Sequence, residues 1–240
     1  GANWLSGGLS SLGISNLVVS YILTHSNNTF VCPVNNGIYL STNSGINWIN
    51  LNNGLPNSST ILSLIKNGSF MYASISGNGV YFSSNNGSSW SPINNGLTEV
   101  NLQNLTSNGS NVFTSSYNGG VFFTSNNGNS WSNVGLTGKA IQAMAYQDNY
   151  LFVGTYGNGM FISSNNGNSW TSANNGIEYN INTLLVNGPV IYAGTQNGIF
   201  LSTNYGASWT SNSLGLPGYS KIKSIVLCND FMFLGTTSQS

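Results

Sequence analysis

Along this chain, short runs of apolar or alternating residues are separated by polar turns, and the runs come in groups of three. The first group reads Asn16 to His25, Thr29 to Val34 and Gly37 to Thr42. The second is Thr60 to Lys66, Phe70 to Ile75 and Val80 to Ser84, and the third is Val100 to Ser107, Asn111 to Ser116 and Val121 to Ser125. Ala140 to Tyr146, Tyr150 to Thr155 and Met160 to Ser164 make the fourth; Ile181 to Val186, Val190 to Gly194 and Ile199 to Thr203 make the fifth. Lys221 to Leu227 and Phe231 to Thr236 begin a sixth. Runs of this length between Asn-Gly pairs such as Asn78-Gly79, Asn118-Gly119, Asn158-Gly159 and Asn197-Gly198 predict β-hairpins, and no stretch has helical periodicity.

After each third strand stands one polar sentence: Ser/Thr, any, Asn, any, Gly, any, any, Trp. Its copies run Ser41 to Trp48, Ser83 to Trp90, Thr124 to Trp131, Ser163 to Trp170 and Ser202 to Trp209. The spacing of about forty residues is that of one propeller blade. Asn43, Asn85, Asn126, Asn165 and Asn204 can accept backbone N–H groups of their own turn, and Gly45, Gly87, Gly128, Gly167 and Gly206 supply a positive φ. The indoles of Trp48, Trp90, Trp131, Trp170 and Trp209 then fold under the turn, each N–H reaching a nearby carbonyl and each begins a fourth, outer strand. These residues resemble the Asp-box, or BNR repeat, of sialidase, sortilin and photosystem-assembly-factor propellers, with Asn where those families usually carry Asp. The resemblance implies a fold and a structural turn, and carries no function by itself.

The expected architecture is therefore all-β, a six-bladed propeller of four-stranded antiparallel blades. The blades span about 10–51, 52–93, 94–134, 135–173, 174–212, and 213–240 completed by 1–9. Gly1-Ala2-Asn3-Trp4 matches the end of a box, so the N-terminus is expected to give the sixth blade its outer strand. That blade still lacks its third strand and the first half of its box. Either the chain continues past Ser240 or another chain fills the slot, since an open strand position invites strand addition and head-to-tail assembly. Aligned first strands place Ser20, Ser63, Asn104, Ala143, Thr183 and Ser224 in one column. Tyr21, Leu64, Leu105, Met144, Leu184 and Ile225 follow in the next, a small-then-large order suited to strands converging on an axis.

Composition narrows the function. The 240 residues include four cations, all Lys (Lys66, Lys139, Lys221, Lys223), and four acids, Glu99, Asp148, Glu178 and Asp230. Nucleic acid and anionic membrane surfaces need clustered Lys and Arg, so neither is an expected partner. With 12% aromatic residues the chain can still build a core, leaving a coat of Asn, Ser, Thr and Gly suited to the extracellular space or cell surface. No apolar stretch spans a bilayer. The start at Gly1 suggests a processed product. Cys32 and Cys228 fall in neighbouring blades at unequal heights; a disulfide and two separate thiols both remain open.

A sialidase grips its substrate carboxylate with arginines, which this chain lacks. Glycoside hydrolysis needs two carboxyl groups about 5 to 10 Å apart. Glu99 and Glu178 share a loop face but belong to units three and five, while Asp148 and Asp230 sit in the opposite turns. His25 is the lone histidine, with no partner at ligand spacing, so no catalytic residue, metal or cofactor is expected. All six Trp residues, including Trp4, belong to boxes. Sugar contacts would then fall to loop residues Tyr117, Tyr156, Tyr179 and Tyr219. Asn-x-Ser/Thr triplets make Asn27, Asn57, Asn67, Asn86 and Asn108 candidate glycosylation sites, whereas Asn104 is expected to be bare. Two readings follow. The first is a non-catalytic structural or interaction propeller, partnered by its own copies or other extracellular proteins and able to form a fibre through its open blade. The second is a glycan-binding lectin.

Overall fold

A computed structural model describes residues 18–213, 215–216, 220–228 and 231–238. All regular structure among them is β-strand. The first sheet holds β1 (Val19–His25), β2 (Asn28–Pro33), β3 (Tyr39–Ser41) and β4 (Ile49–Asn50); the second holds β5 (Ile61–Asn67), β6 (Phe70–Ile75), β7 (Gly79–Ser83) and β8 (Ser91–Pro92). β9 (Leu102–Ser107), β10 (Val112–Ser116), β11 (Gly120–Thr124) and β12 (Ser132–Asn133) form the third. The fourth is β13 (Ala140–Gln147), β14 (Tyr150–Tyr156), β15 (Met160–Ser163) and β16 (Thr171–Ser172). The fifth is β17 (Ile181–Asn187), β18 (Val190–Thr195), β19 (Gly198–Ser202) and β20 (Thr210–Ser211). Each is a meander in sequence order. β21 (Ser220–Cys228) and β22 (Phe231–Ser238) pair only with each other.

The count of six blades is thus corrected to five four-stranded blades and one two-stranded sheet. Among the described residues the sixth repeat is represented by its first hairpin, β21–β22. The outer strand assigned to residues 1–9, with Trp4, lies outside the described residues. The fourth strands are also shorter than expected. Each begins one residue after its Trp and spans two residues, so the outer edge of every blade carries little ladder.

The described residues fall into two compact units, those up to 105 with 128–130, and those of 106–127 and from 131 onward. In the first unit Phe30, Ile38, Ile61, Leu64, Met71, Ala73 and Trp90 build the core between the first two sheets. In the second, β17 packs against β13 on one side and β21 on the other. Phe152, Ile181, Ile191 and Trp209 form one core cluster there; Ile199, Ile222 and Ile225 form another.

The first strands hold a feature that the apolar pattern does not reveal. β1, β5, β13, β17 and β21 each slip register by one residue near their start, a β-bulge at Ser20, Leu62, Gln142, Asn182 and Lys223. The column of small residues is consequently misaligned in the first blade. Tyr21 pairs with Cys32 as Ser63 pairs with Ser74 and Ala143 with Gly154, so Tyr21, not Ser20, stands beside Ser63. Ser20 is the bulged residue, and its hydroxyl donates to the Cys32 carbonyl at 2.8 Å. A small side chain at a bulge had the same sequence signature as a small side chain in the column.

Candidate functional site

The five polar turns are built alike. The buried Ser41, Ser83, Ser163 and Ser202 hydroxyls each accept the N–H of the box Gly at 2.8 Å and donate to the box Asn Oδ1 at 2.8 to 3.0 Å. The same Oδ1 also accepts the backbone N–H four residues after the Asn, at 2.9 to 3.0 Å, from Asn47, Ser89, Ser169 and Ser208. Thr124 and Asn126 repeat the first contact at 2.8 Å. An amide oxygen thus does the accepting for which a carboxylate would serve. The remaining Nδ2 of Asn85, Asn165 and Asn204 donates to the hydroxyl of Ser89, Ser169 and Ser208 at 2.9 Å, so the neutral side chain leaves little unsatisfied.

The turn bends through two left-handed residues, one more than the Gly alone would require. Ser44, Asn86, Asn127, Asn166 and Tyr205 have φ of 54 to 57° ahead of glycines at 83 to 87°. Asn tolerates that region well, and three of the five positions carry it.

The indoles act between blades. Trp90 donates from Nε1 to the Leu51 carbonyl at 2.8 Å, Trp170 to Val134 at 2.7 Å and Trp209 to Ala173 at 2.9 Å. The backbone N–H of Trp90 and Trp209 is taken by Asn53 and Asn175 at 2.9 Å. Gly54 and Gly176 follow those acceptors at φ of 88 and 86°, and a Cβ there would lie 2.1 and 2.4 Å from the Trp90 and Trp209 carbonyl oxygens. Trp48 instead donates to Gly45 in its own turn at 3.1 Å. A second brace passed unnoticed in the sequence. Asn52, Asn94 and Asn174, four residues after the Trp, accept the N–H of Ile38, Val80 and Met160 through Oδ1 and donate to Asn36, Asn78 and Asn158 carbonyls. The recurrence of Asn at that offset was the available signal.

Of the tyrosines singled out for sugar contact, Tyr117, Tyr156 and Tyr179 are exposed, and Tyr219 lies outside the described residues. Tyr156 and Tyr179 are brought together: Tyr156 bridges to Asn180, and the Tyr179 carbonyl accepts the N–H groups of Gly157 and Gly159 at 3.0 and 2.9 Å. Glu178 beside them accepts from Asn197 Nδ2 at 3.0 Å. Glu99 is half-buried in the loop before β9, and Asp148 is exposed in the β13–β14 turn with its Oδ2 3.3 Å from the Tyr205 hydroxyl. Partial desolvation, then the Asp148 charge and hydrogen bond, push the Tyr205 hydroxyl above its ordinary range. Asp230 lies outside the described residues. His25 is exposed at the end of β1 opposite Asn28.

Cys32 is a free, fully buried thiol, and burial pushes it up to about 12; the Cys228 side chain lies outside the described ones. Among the glycosylation candidates Asn27 and Asn57 are exposed in turns. Asn67 is half-buried at the end of β5. Asn86 is exposed but its Oδ1 accepts from Lys66 Nζ, and half-buried Asn108 accepts the Asn111 N–H at 2.9 Å. Asn104 is half-buried within β9.

The most unusual surface belongs to β21–β22. One face, with Ile222, Ile225 and the half-buried Leu234, packs on Ile199 of β19. The other presents the cross-strand pair Val226 and Phe233, 56% and 60% exposed, together with Phe231 at 70%. Such aromatic rings in water usually mark a contact surface. The outer edge of β22 has no strand beside it among the described residues, whereas β2, β6, β10, β14 and β18 all have a third strand there.

A family model described as the DUF6242 beta propeller domain matches residues 62–178. Among solved structures, the chain is similar to the extracellular domain of the B. thetaiotaomicron protein BT4673, at 17% identity and a TM-score of 0.72 over 93% of this chain and 31% of that one. It is also similar to YCF48 bound to D1 peptide, at 16% identity and a TM-score of 0.65 over 92% and 76% of the two chains. The GH74 xyloglucanase of Xanthomonas campestris aligns at 12% identity and a TM-score of 0.66 over 93% and 42%. The chain thus spans about a third of the BT4673 domain and under half of the xyloglucanase. A search among curated proteins finds no match. Among the described residues no helix is long and apolar enough to cross a membrane. Four-stranded antiparallel blades in sequence order, with the match of residues 62–178 to a beta propeller family model, make this chain an all-β propeller.

Proposed function

We propose that the chain is a non-catalytic interaction propeller of the extracellular space or cell surface, whose box turns are Asp-box turns with Asn in the Asp place. Its partner is another copy of itself or another extracellular protein, joined at the β21–β22 sheet. The observation that carries this reading is the coincidence, on one hairpin, of an apolar face and a strand edge with no neighbour among the described residues. Main-chain hydrogen bonds along β22 give a strand-adding partner affinity, and Phe231 and Phe233 give it an apolar seat. The scattered carboxylates and the sparse charge fit a structural role, and the BT4673 relative is by its name an extracellular domain.

The test is the oligomeric state of the native protein. Concentration-dependent oligomers or fibres in light scattering and negative-stain microscopy are expected, lost in the Phe231→Lys/Phe233→Lys variant with its circular dichroism unchanged. A wild type that stays monomeric at every concentration would overturn the reading. A second reading, a lectin on the loop face, is favoured by the exposed side chains of Tyr156 and Tyr179 on neighbouring backbone; loss of glycan-array signal in Tyr179→Ala would support it.

A further inference from the structure

One box departs from the other four. Where they carry Ser44, Asn86, Asn127 and Asn166, the fifth carries Tyr205, a bulky residue held at φ 54°. A tyrosine is an uncommon occupant of the left-handed region, and such outliers gather at binding sites. Its ring lies against Tyr150 of the neighbouring blade, the centroids 5.2 Å apart and the planes 34° from parallel. Its hydroxyl meets Asp148.

A second departure stands beside it. Asn53 and Asn95 use their Nδ2 to clamp the carbonyls of Ser88 and Asn129 in the following box, at 3.5 and 3.1 Å. Asn175 is the same residue in the fourth blade, and it keeps the backbone contact to Trp209. Its exposed amide has no hydrogen-bond partner among the described residues, and it lines a groove with Tyr150 and Tyr205. That groove has a volume of about 370 Å³, within the range of small-molecule sites, and its wall also presents Ser164 and Thr171 hydroxyls.

We propose that this groove between the fourth and fifth blades is a subsite for a neutral sugar. An aromatic surface suits the apolar face of a pyranose ring. The free Asn175 amide supplies two donors and an acceptor, and Ser164 and Thr171 supply groups that donate or accept, which is the inventory that sugar hydroxyls need. No cation lines the groove to hold a carboxylated sugar, and the Asp148 carboxylate that meets the Tyr205 hydroxyl disfavours one. The subsite stands apart from the β21–β22 interface and from the Tyr156–Tyr179 surface, so its failure leaves those readings in place.

Saturation-transfer NMR of the full chain with glucose, galactose, mannose and N-acetylglucosamine, and with sialic acid as the anionic control, tests it. Transfer to at least one neutral sugar is expected, about tenfold weaker or absent in Asn175→Ala. It is absent in Tyr205→Asn, which restores the residue of the second box and keeps the melting temperature at or above that of the wild type. Tyr179→Ala leaves transfer unchanged. No transfer to any neutral sugar in the wild type, transfer retained in Tyr205→Asn, transfer lost in Tyr179→Ala, or preferential binding of sialic acid would each overturn the proposal.

Discussion

Tyr72 in β6 and Phe233 in β22 occupy the same place in their repeats, one pairing with Ile65 and the other with Val226. Tyr72 is fully buried; Phe233 is 60% exposed. The difference lies in the third strand. In the second blade β7 runs beside β6 and places Phe82 over Tyr72, with ring centroids 5.1 Å apart. Nothing among the described residues plays that part for β22. An aromatic at this position is thus core or contact surface according to whether a neighbouring strand arrives, and the residue itself does not decide.

The strongest way to break the comparison is to truncate both rings. Tyr72→Ala should lower stability by about 3–5 kcal/mol, as for other large buried aromatics, while Phe233→Ala should stay within about 0.5 kcal/mol in a monomer. Urea denaturation of both variants measures this, and equal losses would show that β22 is covered. Next in size is a pH effect on the buried second strands. Cys32 in β2 is held near 12 by burial against 9 for a free thiol, so the unfolded chain releases the proton first as pH rises. Stability from this group is full below pH 9 and is lost between 9 and 12, at about 1.4 kcal/mol per pH unit. Thermal melts across that window should fall more steeply for the wild type than for Cys32→Ala, once the loss common to both is subtracted.

A smaller effect is expected from the turn that follows the third strand. Ser83→Ala leaves the buried Gly87 N–H without its acceptor and should cost about 1–3 kcal/mol in denaturant melts. Smallest is Asn85→Asp. The carboxylate keeps both accepting roles of Oδ1 and can receive the Ser89 hydroxyl, so stability at neutral pH should change by less than about 0.5 kcal/mol. A large loss would mean that the Nδ2 contact to Ser89 holds the turn.

Phe70–Ile75 was legible to the residue, because apolar patterning and a following Asn-Gly turn agree over the whole strand. The box Ser, Asn and Gly roles were legible for the same reason: their chemistry is local. The bulges were not, since Ser20, Leu62, Gln142, Asn182 and Lys223 share no property. The indole partners were also out of reach, because the acceptor is a main-chain carbonyl some 36 to 39 residues earlier and leaves no mark on sequence. Tyr205 could have been noticed as the odd letter of its box. Its significance came only with its φ, its stacking on Tyr150 and the idle Asn175 amide beside it.

Three Trp hooks, at Trp90, Trp170 and Trp209, each catch an eye made of backbone. Leu51, Val134 and Ala173 offer the same oxygen behind three unlike side chains, so the bond itself makes no demand on the side chain at its accepting end. What constrains those three side chains is the core each one packs in, and the indole adds no demand of its own.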